Sequence, residues 1–158
     1  MKKFLPLIII AVLAIGIYSW VKGINNTAVT LNENIKESWG NVETAYERRN
    51  SLIGNLVNTV KGAADFEKST LEAVINARSK ATQTTVDASN VTPEQLAAFN
   101  QAQSGVNSAL SRLLVSVEKY PDLKANQNFI KLQDELVSTE NQILTARTRF
   151  NETVKPYN

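Results

Sequence analysis

Apolar residues recur along this chain in alternating steps of four and three. Between residues 35 and 60 the series reads Ile35, Trp39, Val42, Tyr46, Arg49, Ile53, Leu56 and Val60, the heptad spacing that lines one seam of a coiled-coil-like helix. Arg49 takes one of these apolar places, and Arg48 flanks it. Gly54 weakens that helix by about 1 kcal/mol relative to alanine. Lys61 and Gly62 end it, a cation and a glycine both suiting a helix C-terminus. A second helix is expected from Ala64 to about Thr84, with Leu71, Val74, Arg78 and Ala81 on one side. The stretch TQTTVDASNVT (Thr82–Thr92) is a polar connection. Thr92-Pro93-Glu94-Gln95 then supplies an N-cap, a first-turn proline and a capping-box glutamine.

The third helix carries Leu96, Phe99, Gln103, Val106, Leu110, Leu113, Val117 and Tyr120. It stops before Pro121, because the residue preceding proline avoids helical angles. A fourth helix starts near Asp122 and holds Leu123, Phe129, Leu132, Leu136, Ile143, Phe150, Val154 and Tyr157, with Pro156 closing it. Asn126, Gln127 and Asn128 read as a polar first turn of that helix. No stretch alternates apolar and polar residues convincingly enough for a strand. Long helices on short turns predict an all-α fold of antiparallel hairpins.

Ahead of the bundle, residues 4–21 form an uncharged apolar run between Lys2–Lys3 and Lys22. At 1.5 Å per residue it reaches about 27 Å, enough for a bilayer core. Tyr18 and Trp20 fall at its far end, where aromatics favour the headgroup region. A cleaved signal peptide is the alternative, but the apolar run continues past the weak Ala14/Gly16 cleavage pair. The sequence thus predicts a transmembrane anchor over residues 1–25, a flexible join at Gly23–Thr27, and a bundle domain over 26–158. The two leading lysines place the N-terminus in the cytoplasm and the bundle outside it. A single-pass protein of the bacterial inner membrane, with a periplasmic bundle, is the expected topology.

Composition narrows the chemistry. The 158 residues contain no cysteine and no histidine, which removes thiolate chemistry and the commonest general base and metal ligand. The net charge is +2, from 17 basic and 15 acidic residues. Setting aside Lys2, Lys3 and Lys22 leaves 14 basic residues against those 15. There is no basic stripe for nucleic acid. The acidic residues are scattered, so no catalytic, cofactor or metal site is expected.

Glu140 lies four residues after Leu136 and three before Ile143, and Arg147 follows a heptad later. Arg48, Arg49, Glu140 and Arg147 are therefore candidates for structural ion pairs, with Arg48 or Arg49 meeting Glu140 between neighbouring first and fourth helices. The alternative is that these long side chains lie at the seam's edge and reach water.

The segments RRNSLIGNLVNTVKG (Arg48–Gly62), YPDLKANQNF (Tyr120–Phe129) and LQDEL…TEN…AR…FNETV (Leu132–Val154) together resemble the LemA family. The resemblance implies a bacterial membrane-anchored protein with one N-terminal span and an antiparallel helical domain, and it implies no defined activity. The family pattern usually has proline in place of Gly54 and an aromatic in place of Ala63, and its members commonly continue beyond the position of Asn158. The functional expectation is a non-enzymatic scaffold, attached to membrane lipid through its first helix. It would self-associate as a homo-oligomer or assemble other envelope proteins. A sensory module that binds a ligand or peptide and relays to a membrane partner is the rival.

Overall fold

The computed structural model describes residues 5–63 and 66–155, with side chains from residue 12 onward. Five helices follow one another: α1 (Leu5–Lys61), α2 (Lys68–Gln83), α3 (Pro93–Val117), α4 (Pro121–Lys124) and α5 (Gln127–Val154). No strand occurs among the described residues. α1 packs most extensively on α5, and α2 on α3. Contacts fix the directions. Trp39 meets Phe150 and Arg49 meets Glu140, so α1 and α5 run antiparallel. Tyr46 meets Phe99 and Arg49 meets Gln103, so α3 runs parallel to α1. Glu67, the residue just before α2, reaches Lys119 just past the end of α3, so that pair is antiparallel. The result is an up-down-up-down bundle with α4 as a corner piece.

All eight α1 seam residues from Ile35 to Val60 are buried. The core they line falls into two clusters. One holds Ile35, Trp39, Val42 and Tyr46 with Phe99, Ile143 and Phe150. The other holds Leu52, Ile53, Leu56 and Val60 with Val106, Leu113, Phe129 and Leu136.

The sequence-based elements need four adjustments. First, no join interrupts α1 at Gly23–Thr27: the helix continues, and the Thr27 and Thr30 hydroxyls donate to the carbonyls of Gly23 and Asn26 one turn back. Extending a helix already formed on both sides adds a bond per residue, which outweighs the weak local propensity. Second, the fourth helix is two. The Asn126 side chain accepts from the backbone N–H groups of Asn128 and Phe129, at 2.9 and 3.2 Å, and so starts α5 afresh after α4. Third, α2 begins at Lys68, not Ala64, which lies outside the described residues. Tyr157 and Pro156, expected to end the last helix, lie outside them too.

The fourth concerns the anchor. The apolar run 4–21 falls in part outside the described side chains, and among the described residues no helix is long and apolar enough to cross a membrane. The transmembrane helix expected over residues 1–25 is therefore not found among them. What is described is the far part of that run. Val12, Leu13, Ile15, Ile17, Tyr18, Trp20, Val21 and Ile24 are all exposed on α1 before it joins the bundle. At 100° per residue, these positions surround the helix.

The expected start of α3 holds. Thr92 Oγ1 accepts from the Gln95 N–H, and Gln95 Oε1 accepts from the Thr92 N–H, closing the capping box.

Candidate functional site

The feature that joins most of the bundle is Arg49, 1% exposed and between the two core clusters. Its place in the α1 heptad forces the side chain inward, and its length carries the guanidinium across to two other helices. One terminal nitrogen donates to Asn107 Oδ1 and to Glu140 Oε1, each at 2.8 Å. The other donates to Gln103 Oε1. The guanidinium carbon also lies 4.9 Å from the centre of the Tyr46 ring, a cation–π contact that desolvation strengthens. A buried charge needs this much partnership, since an uncompensated one costs several kcal/mol.

α3 supplies Gln103 and Asn107 one turn apart on the same face, and α5 supplies Glu140. Gln103 is buried like Arg49, whereas the Glu140 side chain is 45% exposed. The carboxylate therefore keeps part of its hydration while neutralising the arginine, and the pair avoids the full desolvation penalty. Arg49 Nε and the neighbouring Asn50 Oδ1 are buried without a hydrogen-bond partner among the described residues.

Of the four ion-pair candidates, the structure brings together Arg49 and Glu140. Arg48 and Arg147 are exposed, and neither makes an ion pair among the described residues. Arg147 instead borders a small cavity of about 60 Å³ beside Trp39, Tyr46, Phe99 and Phe150. The seam place on α5 belongs to Thr139, fully buried with its hydroxyl returned to the Glu135 carbonyl. Glu140 reaches Arg49 from the seam's edge. The apolar pattern does not mark Asn107 as a partner; its spacing of four from a polar seam residue, Gln103, is the signal the sequence carries.

The arrangement orders helices more readily than it does chemistry. Arg49 contributes no nucleophile or base, and its terminal nitrogens are taken up by protein oxygens. Among the described residues no group of three acidic side chains is placed to hold a metal ion.

Comparison with known proteins gives a consistent picture. A sequence model of the LemA family matches residues 38–158. The magnetosome protein MamQ 1 of Paramagnetospirillum magneticum is 29% identical over 154 residues, covering 84% of this chain and 55% of its own length. MamQ of Magnetospirillum gryphiswaldense is 28% identical with the same coverage. Protein LemA of Metamycoplasma hominis is 25% identical over 152 residues, covering 96% of this chain and 66% of its own length. The chain thus spans little more than half the length of the MamQ proteins it resembles.

Proposed function

This chain belongs to the LemA family, and from that premise we propose that it is a membrane-anchored helical scaffold. The observation that carries the reading is the exposed apolar collar of α1, Val12 to Ile24, projecting ahead of the bundle. A helix apolar on all sides belongs in a protein core or a bilayer, and among the described residues no protein core surrounds this one. Together with the apolar residues 4–11 that precede it in sequence, the run is of bilayer length. Lys2 and Lys3 favour a cytoplasmic N-terminus, which puts the bundle on the outer side of a bacterial inner membrane.

The scaffold role draws on the bundle. Its polar layer ties α1 to α3 and α5 through Arg49. Val115, Val137 and Leu144 remain exposed on its outside, where another copy or an envelope partner would cover them. A second reading, a ligand-binding module relaying to a membrane partner, is favoured by a cleft at the end of the bundle nearest the collar.

Carbonate extraction of membranes from cells expressing the full chain tests the anchor. The protein should stay in the pellet, and paired Ile15→Glu and Ile17→Glu changes should release it. Recovery of the unaltered chain in the supernatant would sink the reading. Light scattering of the detergent-solubilised chain tests assembly, and a clean monomer would remove self-association from the proposal.

A further inference from the structure

A cleft of about 430 Å³ opens where α1 enters the bundle. Its apolar floor comes from Ile35 on α1, Leu96 on α3, and Phe150 and Val154 on α5. The connection between α2 and α3 forms its wall and is held in shape rather than loose. Val86 is buried in the core, Asp87 Oδ1 accepts from the Ser89 N–H at 2.8 Å, and the capping box fixes Thr92. Polar residues around this floor include Asn32, Asn90 and Asn151, with Lys155 as the one charged residue among those described. Among the described residues no carboxylate lines it. The volume falls within the span of small-molecule sites, about 300–1,000 Å³, and an apolar floor with few polar groups is their usual make-up.

We propose that this cleft binds a free fatty acid, its chain on the apolar floor and its carboxylate against Lys155 and the amides. Charge selects the head group, because a cation with amide donors favours an anion, and nothing in the described lining repels one. The floor selects the tail. A peptide would lay backbone N–H and C=O groups on Ile35, Leu96 and Phe150, which offer them no partner and so penalise their burial. Location supplies the ligand: Asn32 follows Val21 by 11 residues of continuous α1, about 16 Å of helix. The supply rests on the anchored reading; the shape and charge of the cleft do not.

The test is photolabelling of the full chain in phosphatidylcholine nanodiscs with a palmitic acid carrying a diazirine in its chain, mapped by mass spectrometry. Two sets of labelled peptides are expected, one in residues 12–24 from the bilayer and one in residues 86–96 and 150–155 from the cleft. Ala88→Phe, which narrows the cleft, should reduce the second set and leave the first. Lys155→Glu, at an exposed position, should reduce it about fivefold, the weight of one partly exposed charge pair. Labelling confined to 12–24 overturns the cleft proposal and leaves the anchor standing. Labelling of the cleft alone supports the site and counts against the anchor, and labelling of neither rejects both. Equal cleft labelling by the matching alkyl amine overturns the proposal. So does displacement of the label by an apolar tripeptide with a free C-terminus, or labelling of the cleft only from diazirine-bearing phosphatidylglycerol.

Discussion

On one side of Arg49 the bundle core is aromatic, and on the other it is aliphatic. Towards the collar, Trp39 stands edge-on to Phe99 and Phe150, at 5.3 and 5.1 Å between ring centres, and Tyr46 stands edge-on to Phe99 at 4.9 Å. Towards the far end, Ile53, Leu56, Val60, Val74, Val106 and Leu113 are buried to completion, with Phe129 among them. Edge-on rings hold specific angles as well as area, while aliphatic side chains interlock by shape alone. The aromatic block is also the one closed by a connection instead of a helix, through Val86. Arg49, Gln103, Asn107 and Glu140 lie between the blocks. The difference predicts a division of labour, in which the near block, closed by a connection, exchanges before the far block, closed by helices.

Truncation on either side is the strongest way to break that comparison. Phe150→Ala should cost about 3–5 kcal/mol and Leu56→Ala about 2–5 kcal/mol, as buried side chains of these types do. Hydrogen exchange separates them. Phe150→Ala should speed exchange first at residues 84–92, leaving the order of protection around Leu113 unchanged, whereas Leu56→Ala should lower protection throughout. Identical exchange patterns would mean that the two blocks open as one unit.

The polar layer comes next in size. Arg49→Ala removes a fully buried side chain and leaves the buried Gln103 amide without its partner, which should cost about 3 kcal/mol. Arg49→Met combined with Gln103→Leu fills the same space with apolar groups and should recover most of that loss in a thermal melt. The layer's contribution would then lie in register rather than stability. A combined variant that melts as low as Arg49→Ala would show that the layer stabilises the bundle outright.

Glu140→Gln probes the same layer more gently. The amide oxygen can still accept from Arg49, so only the charge is lost, and the half-exposed carboxylate is partly screened. About 1 kcal/mol is expected in chemical denaturation. A loss as large as that of Arg49→Ala would mean that the arginine's charge is carried by this one carboxylate.

Much of this arrangement is legible because α1 keeps strict heptad spacing: all eight seam residues read from sequence are buried, Arg49 included, and Ser38, Ala45, Leu52 and Val57 beside the seam are buried with them. The same spacing misplaced Glu140. From Leu136, steps of three and of four are both heptad-compatible, and only packing shows that Thr139 faces inward while Glu140 reaches round the edge. Val86 was illegible for another reason. A lone valine among Ser, Thr and Asn has no period, and its burial depends on where the connection folds back. The continuity of α1 through Gly23–Thr27 was hidden because local composition resembles a loop, while the helices on either side decide the outcome. The partners of Arg49 on α3 depended on a relation between distant helices that no local pattern encodes.

Gly54 offers the finest comparison, because it lies where α1 faces α2 within the aliphatic block. A methyl group built on it would lie 3.4 Å from the Arg78 guanidinium, ordinary contact with the far end of an exposed, flexible side chain. Gly54→Ala therefore gains helix propensity, about 1 kcal/mol for an interior glycine, and asks only a small adjustment of Arg78. The net should be a stabilisation of about 0.5–1 kcal/mol, a rise in melting temperature of roughly 1–4 °C for a chain of this size. A fall instead would show that Arg78 cannot move, making its stack on the glycine backbone part of what holds α2 against α1. Arg78→Ala in the Gly54→Ala background then decides between the two, since it should be nearly silent if the side chain was free to shift and stabilising if it was trapped.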